Sequence, residues 1–156
     1  MSLDDLAHQL MLSPLTYWIL LAVVAAYAFA RGRIDERLAA MICVLATVGT
    51  VVVQFSVSDR YSHIETGVMV VDLLALVGFT AIALRSDRFW PLWVAGIQLT
   101  TTLAHFFKAV ELDLVPQVYA AAARFWVYPI FLIIVIGTWR SHQRSRQERA
   151  DLAFPG

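Results

Sequence analysis

Asp72, His105 and Arg124 are ionisable residues set inside long apolar stretches of the chain. An unpaired charge near the centre of a bilayer costs at least ~2.5–3.5 kcal/mol, so residues of this kind need partners. Asp72 and Arg124 carry opposite charges and are expected to form a buried ion pair, with His105 and Gln54 completing its hydrogen bonds. Such a set could hold a small polar solute or an ion. His105, whose charge changes near neutral pH, could relay a proton beside Asp72. The same groups could instead act only as interhelical glue, and Arg124 alone could snorkel to an interface.

The spacing of the neighbouring polar residues places them beside this set. Gln98, Thr101, Thr102, His105 and Lys108 recur at intervals of three, one, three and three, which at about 100° per residue makes a single stripe on a helix. Thr47, Thr50 and Gln54 share a face in the same way, Glu65 and Asp72 nearly superimpose, and Gln117, Arg124 and Tyr128 lie on one side. The expected pocket therefore comprises Gln54, Asp72, Gln98, Thr101, Thr102, His105, Arg124 and Tyr128.

The elements that must position these residues are helices in a membrane. Hydrophobic residues make up 60% of the 156 and charged residues 15%, with a mean hydropathy of +0.68. A typical soluble domain has ~45–50% apolar and ~25% charged residues. Since a bilayer core of ~30 Å needs roughly 20 apolar residues per helix, five spans are expected. They cover Pro14–Ala30, Leu38–Val57, Gly67–Leu84, Trp90–Ala109 and Gln117–Trp139. The fold class is all-α, a polytopic bundle. Residues 1–12 form a short amphipathic interfacial helix, 13–139 the membrane domain and 140–156 a basic tail. Pro116 suits the first turn of the fifth helix, and Pro129 is expected to kink it.

Loop charge gives the orientation. Arg31, Arg33, Arg37, Arg85, Arg88, Arg140, Arg144, Arg146 and Arg149 fall on one side if the helices alternate. The opposite loops hold Asp4, Asp5, Asp59, Glu65, Glu111 and Asp113, with only Arg60 and Lys108 as cations. By the positive-inside rule the N-terminus lies outside and the C-terminus in the cytoplasm. The acidic N-terminal region also argues against a cleaved signal peptide ending near Ala30. Tyr17, Trp18, Phe89, Trp90, Trp93 and Trp139 read as interfacial anchors.

A net formal charge of +0 gives no bulk case for nucleic acid, and the one cysteine, Cys43, permits neither an internal disulfide nor a cysteine-based zinc site. No Gly-x-Ser-x-Gly, His-Glu-x-x-His or Walker pattern points to an enzyme. His63 could supply a second nitrogen beside His105, but metal or haem sites need more ligands than are visible. Expected partners are membrane lipid, other copies of this chain or other membrane subunits, and a small polar solute or ion. The sequence specifies no cofactor.

Phe89-Trp90-Pro91-Leu92-Trp93, followed by Gln98, Thr102 and His105, and then Phe125-Trp126-Val127-Tyr128-Pro129, resembles small five-helix inner-membrane proteins of alphaproteobacteria. The resemblance covers roughly the C-terminal half and implies a bacterial inner membrane, with no activity attached. The translocator-protein family of tryptophan-rich sensors does not fit, because Arg31–Arg37 replaces its proline- and tryptophan-rich first loop. The reading carried forward is a non-enzymatic membrane module with an outward-facing polar pocket. A redox subunit binding haem or quinone at His105, and a purely scaffolding subunit, are the alternatives.

Overall fold

The computed structural model describes residues 14–56, 61–110 and 126–153, with the side chains at 14, 56, 61–65, 105–110 and 150–153 left out. The expected interfacial helix over 1–12 and the expected start of the fifth span at Gln117 lie outside these residues. The described residues form five α-helices and no strand: α1 Pro14–Arg31, α2 Ile34–Ser56, α3 Tyr61–Arg85, α4 Trp90–Val110 and α5 Val127–Ala153.

Two helices begin earlier than the apolar runs imply. α2 starts at Ile34 rather than Leu38 because Glu36 reaches back to accept from the Arg33 backbone N–H at 2.8 Å. This is half of a capping box, and it turns an expected charged loop into a first helical turn. Asp35 and Glu36 then sit at the positive end of the helix dipole. Only Gly32 and Arg33 remain between α1 and α2. The Gly32 N–H continues the ladder to the Ala28 carbonyl at 2.8 Å, and a Cβ at this glycine would lie 2.5 Å from that oxygen. α3 starts at Tyr61 rather than Gly67.

The last helix runs past its expected end at Trp139 as far as Ala153. Residues 140–153 contain no glycine or proline and are rich in Arg, Gln and Glu, which are good helix formers. The start of this segment also has an inward side: Ser141 is buried, as is Thr138 just before it. Pro129 falls in the first turn of the described helix, and the kink expected there involves Phe125, which lies outside the described residues.

Short connections make α1 and α2, and α3 and α4, antiparallel neighbours. The helices close into a ring, α1 against α2, α2 against α3, α3 against α4, α4 against α5 and α5 against α1, with α5 also touching α2. Arg31, Glu36, Arg85, Arg88 and His142 come together at one end, called here the basic end. The core is filled by Leu21, Val24 and Ala28 from α1, Phe79 and Ile82 from α3, and Ile130, Phe131 and Ile134 from α5. α2 and α3 approach closely at glycines: a Cβ at Gly67 would lie 2.5 Å from Val53 Cγ1, and one at Gly78 would lie 2.8 Å from Ile42 Cδ1.

Apolar side chains also cover the outside. Leu45, Val52, Leu74, Val77, Leu99 and Leu132 are all exposed. Two helical stretches, Ile34–Phe55 and Thr66–Arg85, are long and apolar enough to cross a membrane, and Leu15–Arg31 is a shorter apolar helix. Only 17% of either long stretch is buried inside the bundle. The core helix of a water-soluble protein would be mostly buried, so this outward apolar surface supports membrane association.

Candidate functional site

Gln98 and Asp72, on α4 and α3, meet inside the bundle. Gln98 is only 7% exposed. Its Nε2 donates to the Asp72 main-chain carbonyl and to Asp72 Oδ1, both at 3.3 Å. These bonds are longer than the usual ~2.9–3.0 Å, so each holds its partner loosely. One amide group thus spends both hydrogens on a single neighbour. Asp72 is half-buried and engages more than Gln98 alone. Among the described side chains it is the only acid in the apolar middle of a helix.

A second pair joins α1 to α2. Thr47 Oγ1 donates to the Cys43 carbonyl at 2.8 Å and lies 2.5 Å from the Tyr17 hydroxyl. With the threonine proton committed, the tyrosine is the donor in the shorter bond. The Tyr17 ring packs against Phe131 of α5 with centroids 5.9 Å apart. Two polar contacts therefore lie within the bundle, Tyr17–Thr47 between α1 and α2 and Gln98–Asp72 between α4 and α3.

The sequence reading and the structure agree on part of this set. Asp72 and Gln98 are brought into contact. Thr101 and Thr102 lie on the same helix as Gln98 and donate their hydroxyl protons to the carbonyls of Ile97 and Gln98, which leaves their oxygens able to accept but not to donate. Gln54 joins neither contact. Seven residues, almost two full turns, separate it from Thr47, so the two share a face, but Gln54 lies two residues from the end of α2 at Ser56 and is exposed there. Arg124 and the His105 side chain lie outside the described residues, as does the expected Asp72–Arg124 ion pair.

Tyr17 corrects the expectation of an interfacial anchor. Trp18 beside it is exposed, but Tyr17 turns inward. The available signal was its phase: Leu21, Val24 and Ala28, the buried residues of α1, follow it at helical intervals of four, three and four.

A further polar network ties the basic end together. Glu36 has no exposed surface and accepts from Arg88 Nη1 at 2.7 Å. Asp35 accepts from Ser86 Oγ at 2.8 Å. His142 Nε2 accepts from Arg31 Nη1 at 2.8 Å, linking α5 to α1. Sequence reasoning placed these arginines correctly on one side but treated them only as topological signals. Their pairing depended on where α2 began. No protein-family model, curated protein or solved structure matches this chain.

Proposed function

We propose that this chain is a multi-pass protein of a bacterial inner membrane, with five spans, the N-terminus outside and the basic end in the cytoplasm. In this reading it is a non-enzymatic module whose Asp72–Gln98 site binds, or helps to move, a small polar solute or cation, most simply the proton. The observation that carries the reading is the Gln98–Asp72 contact, which sets a carboxylate in the apolar middle of a helix. A carboxylate in that position can exchange a proton or hold a cation, and Gln98 orients it while remaining neutral itself. Tyr17 supplies a further hydroxyl within the bundle, fixed on Thr47. The apolar outer surface, the arginine-rich end and the resemblance of the C-terminal half to inner-membrane proteins support the placement.

The scaffolding alternative draws on the same contact, because Gln98 bonds a main-chain carbonyl as well as a carboxylate and so also joins two helices. Flux separates the two. Purified chain in vesicles containing a trapped pH-sensitive dye should conduct protons under an imposed potential, and Asp72→Asn should abolish that conduction while the protein stays inserted. Undiminished flux in Asp72→Asn, or none in the parent chain, would overturn the proton reading and leave the contact as interhelical glue.

A further inference from the structure

At the basic end, the α1–α2 turn and the α3–α4 turn enclose a cleft of about 340 Å³, a size within the usual range for small-molecule sites. Its inner wall is fixed by bonds within the protein. Arg88 is held by buried Glu36, and Ser86 by Asp35. Its rim is differently made. Arg33, Arg85 and Asp87 line the cleft and are exposed, and their side chains have no partner among the described residues. Two cations and one anion are thus left uncompensated around a single opening, and the pair held at the back cannot neutralise them.

The surroundings of this opening are apolar. Ile34, in the lining, is 73% exposed. Leu84 and Phe89, which flank the Arg85–Arg88 segment, are each 83% exposed. A charged recess with an apolar lip matches a molecule with a zwitterionic head and hydrocarbon chains. We propose that this cleft binds an aminophospholipid, with the phosphate on Arg33 and Arg85, the ammonium on Asp87 and the acyl chains over Ile34, Leu84 and Phe89. Arginine presents paired N–H donors that suit phosphate oxygens, and a primary ammonium can donate to a carboxylate. A phosphatidylglycerol head would leave Asp87 without a cation. A choline head has no N–H to donate to it. The inference rests on the membrane placement proposed above and is independent of any flux through the Asp72 site.

The test is native mass spectrometry of the full chain purified in detergent and titrated with phosphatidylethanolamine, phosphatidylglycerol and phosphatidylcholine of matched chains. Phosphatidylethanolamine should bind tightest. The double variant Arg33→Gln/Arg85→Gln should weaken it at least about tenfold, the scale expected from losing charge-assisted bonds to phosphate. Asp87→Asn should erase the preference over phosphatidylcholine. These side chains hold no described protein group, so unchanged melting curves and unchanged resistance to carbonate extraction should accompany the loss, separating lost binding from lost folding or insertion. Equal binding of all three lipids, or an unaffected double variant, would overturn the proposal. Competition by water-soluble glycerophosphoethanolamine as strong as that of the lipid would also overturn it, assigning the cleft to a soluble phosphate ester.

Discussion

Glu36 of α2 and Arg88 of the α3–α4 turn are joined by a 2.7 Å ion pair at the basic end, and the glutamate in that pair has no exposed surface. Removing one partner of a buried pair strands the other charge, at a cost of about 3–5 kcal/mol. Arg88→Ala should therefore lower the melting temperature markedly in detergent. Arg85→Ala, at an exposed residue with no described acceptor, should leave it nearly unchanged. Equal effects would show that Glu36 is compensated by another group.

Tyr17→Phe removes the hydroxyl bonded to Thr47 while keeping the ring against Phe131. The expected loss is about 0.5–1.5 kcal/mol, the net worth of one hydrogen bond. Tyr17→Ala should cost several times more, about 3–5 kcal/mol, by opening a cavity as well. In a double-mutant cycle with Thr47→Val, the two single losses should not add. Additivity would mean that the two hydroxyls do not interact in solution.

Gln98→Leu should destabilise the bundle by about 1 kcal/mol, within the range measured for hydrogen bonds between membrane helices. Equilibrium unfolding in mixed micelles would measure it. A loss of several kcal/mol would identify Gln98 as the main tie between α3 and α4 rather than an orienting group for Asp72.

The glycines separate by what faces them. A Cβ at Gly67 meets the stiff, branched Val53 at 2.5 Å, whereas a Cβ at Gly96 meets nothing within 4 Å. Gly67→Ala should force α2 and α3 apart, at a cost of about 1–3 kcal/mol. Gly96→Ala should be neutral or stabilise by up to about 1 kcal/mol through helix propensity. Opposite signs in thermal unfolding would confirm both placements.

The single cysteine makes orientation directly measurable. In a Cys43→Ser background, Arg146→Cys should react with a membrane-impermeant maleimide only after cells are opened. Labelling of intact cells would reverse the proposed topology.

Much of the architecture follows from the residue pattern. The apolar runs located all five described helices, and Gln98 and Asp72 stood out because amide and carboxylate groups are costly in an apolar interior. The errors arose where a local bond overrode composition. Glu36 extended α2 by capping its own start, and that extension buried the glutamate against Arg88. Residues 140–153 looked like a tail because they are charged, yet Ser141 faces inward and His142 bonds Arg31. Tyr17 was assigned by residue type, although its helical phase with Leu21 and Val24 fixes its direction. The seven-residue spacing puts Gln54 in phase with buried Thr47, but phase says nothing of depth, and Gln54 lies at the exposed end of α2.

The two-residue link at Gly32–Arg33 has a mechanical consequence. With α1 and α2 joined so tightly, and α2 fastened to the α3–α4 turn through Glu36 and Arg88, the basic end of the bundle behaves as a clamp. Any breathing that admits water to Asp72 must then pivot about this fixed end and open toward the opposite face.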